Sequence, residues 1–421
     1  MNDPERVVVT GIAVRSGLGG DFQTLIHGLE IGEFAPVKPF FPNEIISKAV
    51  GLPFNPPYVF DAFSRKSIPP EGKNTGPGDR ILGMLEPIID EALAQANLGV
   101  EDLEHGRARI YIAGVGIQPE ILNFFSFIAR NDQEDLRQNK GIRQCHYKYY
   151  SQKAIARSLA KNYHLTRPPV SVYSASCSSL AALYLAQSAI ASGRSGIAIV
   201  VTWQEVTLYD LLFLGGLNAL ARTASHPFGS GGEGVVLGAG AAAIVLENSS
   251  RGRQRKMSDL VEIRGFSTSQ SGGLSQGGHS FSPDFRVIGK TISKALEHAK
   301  CRPEEVSVVL PHGNGLRSSD KAEALAIRKV WGNHPVSVSS YKSQLGYTLA
   351  ASGLIDIAIL SEALLAGRLL AFRTKGQLDG HLGLCFHADA PPQRLKTGTA
   401  VKIGIGIEGS VAACVLSVPS E

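Results

Sequence analysis

The pattern that constrains the fold of this chain most is an alternation of strand-like and helix-like segments, which runs through the sequence twice. Short apolar segments rich in β-branched residues predict strands at 6–12, 109–115, 197–202, 260–265, 306–310 and 336–339. Apolar residues at helical spacing predict helices between them at 80–96, 178–192, 285–299, 321–331 and 350–366. Such alternation buries its apolar faces by stacking helices against sheets. We therefore predict an α/β protein of two similar, successive halves, 1–250 and 258–421.

Other segments complete this outline. A Gly/Ala-rich apolar run at 234–247 is predicted as a strand, and 401–407 with 412–418 is predicted as a closing strand pair. Residues 248–257 are polar and basic, which is typical of a connector between the halves or of a solvated surface loop. The region 119–163 is predicted to be mostly helical, with a partly charged surface.

Composition argues against several classes of protein. Hydrophobic residues make up 43% and charged residues 19% of the 421 residues, which is ordinary for a soluble globular protein. A dispersed net charge of +5 does not favour nucleic-acid binding, and no apolar run is long enough to span a membrane. The polar N-terminal segment does not resemble a signal peptide, and the five cysteines form no CxxC pair. We expect a cytoplasmic protein without a metal, nucleotide or redox cofactor.

Cys177 lies at a predicted turn between a short β-branched strand and an Ala/Leu-rich helix that ends at Gly193. The first turn of a helix presents free N–H groups and the positive end of the helix dipole, which stabilise a thiolate over a thiol. We therefore expect Cys177 to be a nucleophile. The alternative from local context alone is a buried structural cysteine.

Three further segments resemble site loops at the ends of predicted strands. His312 follows an apolar strand and precedes a Gly-Asn-Gly turn, Lys342 opens the sequence KSQLG, and residues 404–410 read GIGIEGS. Each segment has an ordinary structural explanation when taken singly. His312 is then a hydrogen-bonded core histidine, Lys342 caps a helix or pairs with an acid, and the glycines form turns.

Taken together and in this order, these segments resemble the β-ketoacyl synthases of the thiolase superfamily over nearly the full length of the chain. The opening RVVVTGIAVRSGLG is similar to the family's first strand and turn, and SASCSSL around Cys177 is similar to its nucleophile motif. The segment HPFGSGGEGVVLGAG at 226–240 resembles its Pro-Phe-Asp and Gly-Glu-Gly region. The family's histidine and lysine motifs are matched by His312, Asp320, Glu323, Lys342 and Gly346.

The resemblance implies a thiolase-like fold, in which the two duplicated halves form a layered αβαβα sandwich. The first half would carry the nucleophilic cysteine, and the second half the histidine and lysine motifs. The implied catalytic residues are Cys177, His312, Lys342 and Tyr347. The implied substrate-binding residues are Phe228, Asn314, Gly406 and Ile407. Backbone N–H groups at Cys177 and near Ile407 would form the oxyanion hole for acyl transfer.

The implied activity is that of an acyltransferase of polyketide or specialised fatty-acid biosynthesis. Cys177 would take an acyl group from the phosphopantetheine thioester of an acyl carrier protein, because a thiolate is both a strong nucleophile and a reversible leaving group. A malonyl-type extender would then lose CO₂ and attack that acyl group in a Claisen condensation. No separate cofactor is implied, since the substrates are carried on the carrier protein.

The sequence departs from the family at several positions around the implied pocket. The family's second histidine is Tyr347 here, and a phenol donates a hydrogen bond but is not a base near neutral pH. Asn314 and Leu316 stand where the family has threonines, Ile407 replaces the gating phenylalanine, and Glu408 replaces a glycine. Several changes around one pocket indicate a specialised relative with either altered or lost condensation chemistry.

Three functions are therefore open at this point. The first is a condensing ketosynthase. The second is a non-condensing partner subunit, like a chain-length factor, that pairs with a complete ketosynthase. The third is acyl transfer from Cys177 without formation of a carbon–carbon bond.

The expected partners are an acyl carrier protein and either a second copy of this chain or a second ketosynthase subunit. The resemblance implies a dimer built around a continuous sheet. A carrier protein would be acidic, so basic residues are candidates for its docking surface. These candidates are Arg65, Lys66, Arg251, Arg253, Arg255 and Lys256, and ordinary solubilising charge is the alternative for each.

Overall fold

The structure of the chain is a computed structural model. It describes residues 6–40, 58–60, 77–105, 107–114, 152–222, 224–232, 234–255, 257, 261–271 and 283–418. Most of the predicted helical region 119–163 lies outside the described residues, as do Arg65, Lys66 and Lys256. No helix among the described residues is both long enough and apolar enough to cross a membrane.

The strands follow the predicted alternation closely. They are β1 (Val7–Arg15), β2 (Val37–Pro39), β3 (Tyr58–Phe60), β4 (Arg109–Ala113), β5 (Val170–Val172), β6 (Ile197–Gln204), β7 (Gly240–Asn248), β8 (Val261–Gln270), β9 (Val308–Leu310), β10 (Ser337–Val338), β11 (Arg368–Leu369), β12 (Cys385–Phe386), β13 (Gln393–Arg394), β14 (Thr399–Ile405) and β15 (Ser410–Ser417).

The helices are named in chain order. They are α1 (Phe22–Ile31), α2 (Pro77–Gln95), α3 (Val100–His105), α4 (Gln152–Asn162), α5 (Ser178–Ala191), α6 (Leu208–Gly216), α7 (Ser249–Gln254), α8 (Phe285–His298), α9 (Arg317–Trp331), α10 (Lys342–Leu345) and α11 (Ser352–Leu365).

The two halves have the same sheet topology. Within the described residues, one continuous sheet has the order β12-β10-β9-β14-β15-β8-β1-β7-β6-β4-β5. The N-terminal strands β5-β4-β6-β7-β1 and the C-terminal strands β10-β9-β14-β15-β8 follow the same order by chain position within each set: third, second, fourth, fifth, first. The C-terminal part carries β12 as an additional edge strand. The strand directions match as well, because β7 and β15 each run antiparallel to both of their neighbours. A short antiparallel pairing of β1 with β8 joins the halves.

Five layers are stacked through the molecule. Helices α2 and α4 cover the outer face of the N-terminal sheet part, and α8 with α9 cover the outer face of the C-terminal part. Helices α5 and α11 lie between the two sheet parts, in a core that contains residues of both halves. Both central helices are apolar around most of their circumference, as expected for a helix covered on all sides. The α/β fold with an αβαβα arrangement is therefore confirmed.

Equivalent glycines show how closely the halves correspond. A Cβ atom on Gly11 of β1 would lie 2.0 Å from the Ala92 carbonyl oxygen of α2. A Cβ atom on Gly265 of β8 would lie 2.3 Å from the Ala295 carbonyl oxygen of α8. Both glycines lie beside a shift in strand register. Each half thus brings its first outer helix against its first strand at a position where no side chain fits.

Two details differ from the sequence-based expectation. The predicted strand at 234–247 begins only at Gly240. The expected polar connector contains the short helix α7, and two of its basic residues are only partly exposed. Arg251 and Arg255 both form ion pairs with the fully buried carboxylate of Glu247. This pairing satisfies a buried charge, which is why these two arginines are weaker candidates for a docking surface than their sequence context indicates.

Candidate active site

Cys177 lies at the turn between β5 and α5, as predicted. Ala175, two residues earlier, adopts a left-handed φ of 38°, which bends the chain sharply before the helix begins. The side chain of Cys177 is only 2% exposed, and its Sγ lies 3.6 Å from the Ser410 carbonyl oxygen. The Cys177 amide donates to the Ser174 carbonyl oxygen at 2.7 Å. This amide is therefore already engaged, unlike the free oxyanion-hole donor expected from the resemblance.

The expectation of a stabilised thiolate is not met in this structure. Burial raises the pKa of the Cys177 thiol to about 12, and the nearby Glu408 carboxylate acts in the same direction. Removal from water disfavours the thiolate more than the Ser410 hydrogen bond and the Lys402 charge favour it. The thiol is neutral at physiological pH, so its activation requires a base that accepts the thiol proton.

His312 is held by its own backbone in the turn that follows β9. The N–H groups of His312 and Gly313 donate to the two carboxylate oxygens of Glu323 on α9, at 2.6 and 2.7 Å. Gly313 has a positive φ of 43°, and a Cβ there would lie 2.8 Å from the Phe228 ring. Burial raises the pKa of Glu323 to about 7, against the effect of these two N–H donors. The predicted motif residue Glu323 is thus a backbone anchor for His312.

The His312 imidazole is neutral. Burial lowers its pKa well below the ordinary value, and the positive charges of Lys342 and Lys402 lower it further. The amide nitrogen of Asn314 lies 3.2 Å from the His312 Nε2 atom. An amide nitrogen only donates, so Nε2 is the acceptor and the ring proton lies on Nδ1. A neutral imidazole is able to accept a proton, which is what activation of Cys177 needs.

Tyr347 lies where the resemblance places the second histidine of the family. It follows α10 and Gly346, and its hydroxyl donates to Ser176 Oγ in the residue next to Cys177. The Tyr347 ring meets the His312 ring edge-on, with centroids 5.3 Å apart at 88°. Burial raises the pKa of the phenol, so Tyr347 stays protonated and serves as a hydrogen-bond donor rather than a base.

Lys342 takes part in a buried charge cluster beneath the site. Its Nζ lies 2.9 Å from Oδ2 of Asp356 on α11, and the Lys402 Nζ lies 2.6 Å from the same oxygen. Burial alone would raise the pKa of Asp356, but the two ammonium groups hold it below its ordinary value. The alternative that Lys342 pairs with an acid is thus correct, and this pairing is also compatible with an electrostatic role next to His312.

These residues surround one cavity of about 350 Å³. Four of the predicted site residues line it: His312, Asn314, Tyr347 and Ile407. Ala175 and Ser176 bring the Cys177 turn to its wall. The rest of the wall is mainly apolar and comes from α6 and nearby segments, including Tyr209, Phe213, Leu214, Leu217, Val235, Leu349 and Ile405.

Four predicted site residues do not line this cavity: Cys177, Lys342, Gly406 and Phe228. Cys177 lies buried directly behind the wall residue Ser176. Lys342 is buried beneath the cavity. Gly406 lies in the turn between β14 and β15, where its N–H donates to the Ser410 carbonyl oxygen at 2.8 Å. Phe228 is 1% exposed and packs its ring against Phe386, in a separate apolar cluster. Its N–H donates to Asp320 at 2.7 Å. The interpretation of Phe228 as a substrate-binding residue is therefore corrected, because its ring is enclosed by other side chains.

Glu408 and Lys402 were not assigned a site role from the sequence. Glu408 places its carboxylate over the turn before β15, 2.6 Å from the Ser410 hydroxyl and 3.3 Å from the Ser174 hydroxyl. Lys402 lies within an apolar strand, and Asp356 within an apolar helix. A fully buried charge in each of two apolar segments, Lys402 in β14 and Asp356 in α11, indicates such a pair.

A metal site is not formed by the described part of the chain. No group of three His, Cys, Asp or Glu side chains there is arranged to hold a metal ion. The described cysteines, at 177, 301, 385 and 414, are all free thiols.

Comparison with known proteins identifies the family. The model of the β-ketoacyl synthase N-terminal domain matches residues 4–252, and the model of the C-terminal domain matches residues 260–371. A similar relative is the tetracenomycin polyketide synthase ketoacyl synthase alpha subunit of Streptomyces glaucescens. It is 25% identical over 433 aligned positions, which cover 99% of this chain and 98% of that subunit.

Solved structures show the same fold. The ishigamide ketosynthase/chain length factor superposes with a TM-score of 0.82 at 20% identity, covering 99% of this chain and 100% of that one. The AntDE:AntF complex, a type II polyketide synthase carrier protein with its ketosynthase, gives a TM-score of 0.80 at 20% identity, with 99% and 100% coverage. The predicted thiolase-like fold is thus confirmed, and the chain belongs to the β-ketoacyl synthase family.

Proposed function

We propose that this chain is a condensing acyltransferase, in which Cys177 accepts an acyl group and His312 with Tyr347 serves the condensation. The observation that carries the proposal is that His312, Tyr347 and the turn that bears Cys177 meet at one largely apolar cavity. His312 and Tyr347 line it, and the residue next to Cys177 accepts a hydrogen bond from Tyr347. A volume of about 350 Å³ lies within the range of small-molecule pockets, roughly 300–1,000 Å³.

The first step is transfer of an acyl group to sulfur. The neutral His312 imidazole accepts the proton of the Cys177 thiol, and the thiolate attacks the carbonyl carbon of an acyl thioester. The tetrahedral intermediate collapses by breaking the bond to the carrier sulfur. His312 then returns the proton to the departing thiolate, so the site is neutral again.

The second step forms the new carbon–carbon bond. A malonyl thioester loses CO₂, and the electron pair of the broken bond forms an enolate. Hydrogen bonds from the Nδ1–H of His312 or from the Tyr347 hydroxyl would stabilise that oxygen, because both residues line the cavity. The enolate carbon attacks the acyl carbonyl on Cys177 and expels the thiolate, which is then reprotonated.

The partner in both steps would be an acyl carrier protein. Support comes from the relatives, since the AntDE:AntF structure contains a carrier protein bound to its ketosynthase. A carrier delivers its thioester on a flexible phosphopantetheine arm, which suits a thiol that is buried behind the wall of a cavity. A reducing compartment, favoured by the free cysteines, would keep that thiol available.

The proposal is tested by a condensation assay with the purified protein alone. Acyl carrier thioesters of several chain lengths and a malonyl carrier thioester are supplied, and the 3-ketoacyl product is measured by mass spectrometry. We expect a product with the wild type and none with Cys177→Ala. Equal product from both proteins would contradict the role of Cys177.

A second candidate function is a non-condensing partner subunit. It is favoured by the engaged amide of Cys177 and by the hydrogen bond that ties Tyr347 to Ser176. It predicts no condensation by the protein alone, and full activity only in a heterodimer with a complete ketosynthase. In that heterodimer, Cys177→Ala in this chain would leave the rate unchanged, whereas the first proposal requires a loss.

A further inference from the structure

Lys402 is a buried cation that the reaction described above does not use. It lies in β14, where its neighbours Ala400, Val401 and Ile403 are all buried, and it is 1% exposed itself. Its Nζ donates to the Pro311 carbonyl oxygen at 2.8 Å, directly before His312 in the chain. The same Nζ lies 2.6 Å from Asp356 Oδ2. Lys402 therefore joins three elements at the His312 turn: β14, α11 and the segment after β9.

The charges around Lys402 do not balance in pairs. Two ammonium groups, Lys342 and Lys402, share the single oxygen Oδ2 of Asp356. The nearest further acid is Glu323, whose carboxylate is bound to the backbone of His312 and Gly313. Burying a second cation is unfavourable, and an apolar residue of similar volume would commonly serve stability as well or better. Stability alone thus does not account for a lysine at this position.

We propose that Lys402 is a positioning residue of the active site, which fixes the Pro311–His312 turn and supplies a second positive charge that keeps the His312 imidazole unprotonated. The hydrogen bond to Pro311 sets the place of the turn. The charge adds to the effects of burial and of Lys342 on His312, because a cation near an imidazole disfavours a second cation there. The proposal rests on the proposed function only for the role of the neutral imidazole, which accepts the Cys177 proton and stabilises the enolate.

Asp356, Lys342 and Glu323 act on Lys402 electrostatically. Lys402 in turn acts on His312, as Lys342 does, and on the Cys177 thiol, whose pKa it lowers. Burial lowers the pKa of Lys402 to about 8, so the lysine is charged below that pH. Its influence on His312 is therefore present throughout the range in which an ordinary histidine titrates.

The test measures His312 directly and needs no activity. The full-length protein is labelled with ¹³C-histidine, and the ring resonances are titrated by NMR from pH 8 down to the lowest pH at which the protein stays folded. Loss of one resonance in His312→Asn assigns His312. We expect His312 to titrate at the lowest pH in the wild type and in Lys402→Arg. In Lys402→Met and Lys402→Gln its midpoint should rise above that of the wild type.

Two neutral variants separate the parts of the proposal and protect it against a folding failure. Glutamine keeps a donor for the Pro311 carbonyl without the charge, whereas methionine keeps neither. A His312 midpoint in both variants that is no higher than in the wild type would overturn the electrostatic role. If only one variant folds, its titration decides in the same way. Absence of condensation in every protein, with the expected titrations, would refute the proposed function but not the role of Lys402.

Discussion

The hydroxyl of Tyr347 distinguishes this site from a site with two histidines. Its hydrogen bond to Ser176 and its edge contact with His312 place it at the cavity wall. Tyr347→Phe keeps the ring and removes the donor. Loss of one donor to a developing oxyanion typically lowers the rate by about 10²–10³. We expect condensation to fall by this order, while acylation of Cys177 proceeds at an unchanged rate.

The measurement is a pair of single-turnover assays, one for the acyl adduct on Cys177 and one for the 3-ketoacyl product. Tyr347→His serves as the matched variant, because a neutral imidazole also donates one hydrogen bond. We expect it to condense. Unchanged condensation in Tyr347→Phe would show that the hydroxyl does not assist the reaction.

Asp320 gives a pH-dependent prediction. Burial raises its pKa to about 8, although the N–H groups of Phe228 and Gly315 favour the carboxylate. The folded state therefore holds a proton that the unfolded chain releases near pH 4. Protonated Asp320 makes its full contribution to the free energy of unfolding below that pH. This contribution is lost as the pH rises towards 8.

Asp320→Asn mimics the protonated form and has no proton to lose. We expect its free energy of unfolding, relative to the wild type, to increase by up to about 1.4 kcal/mol per pH unit between pH 5 and 7. Urea unfolding at several pH values measures this difference, in which the effects of groups not coupled to Asp320 cancel. A difference that is constant with pH would contradict the raised pKa.

The sequence was sufficient to predict the positions of Cys177, His312 and Tyr347 around one site, because each follows a recognisable strand or short motif. It was not sufficient for the charge network beneath them. Lys402 and Asp356 are 46 residues apart and lie on different elements, so only the packing of α11 against β14 brings them within 2.6 Å. The pKa of Cys177 was also beyond prediction, since it depends on complete burial of the turn.

At the scale of elements, the glycines of β1 and β8 give the sharpest prediction. Gly11→Ala and Gly265→Ala each place a methyl group against a helix carbonyl oxygen, at 2.0 and 2.3 Å respectively. The outer helix must move away from its strand, and such overpacking typically costs about 1–3 kcal/mol. We expect both variants to lower the free energy of unfolding by this order.

Gly20→Ala is the control, because no atom lies within 4 Å of a Cβ at that position. It should change the stability by less than about 0.5 kcal/mol. Urea unfolding curves of the three variants provide the comparison. Unfolding of Gly11→Ala and Gly265→Ala at the same urea concentration as Gly20→Ala would contradict the close approach of helix to strand in both halves.

Element prediction from the sequence succeeded where the apolar pattern was long, as in α2, α8 and α11. It failed at the basic segment after β7, because hydropathy does not reveal that Glu247 is buried and needs Arg251 and Arg255 as partners. The duplication itself was inferred from alternation alone. Only the strand order and the paired glycines show how exactly the second half repeats the first.

At the scale of the whole molecule, β5 is the terminal strand of the sheet in the described residues. Beside it lie exposed apolar side chains, with Tyr173 55% and Leu185 42% exposed. An unpaired edge strand with apolar neighbours is a typical pairing surface. We expect a dimer in solution, formed across β5 with a second copy or a related ketosynthase subunit.

Leu185→Arg should shift this dimer to monomer in analytical ultracentrifugation, because a charge would be buried in the contact. Leu325→Arg is the matched control, since Leu325 is 47% exposed on α9 in the other half. It should leave the dimer intact. A dimer that withstands Leu185→Arg would place the interface elsewhere.

The most direct test of the central claim is the intact mass of the protein after brief exposure to an acyl carrier thioester. We expect one added acyl group on the wild type, none on Cys177→Ala, and a much slower gain in His312→Ala. An adduct that persists in Cys177→Ala, or the absence of any adduct on the wild type across all chain lengths, would contradict the assignment of Cys177 as the acyl acceptor.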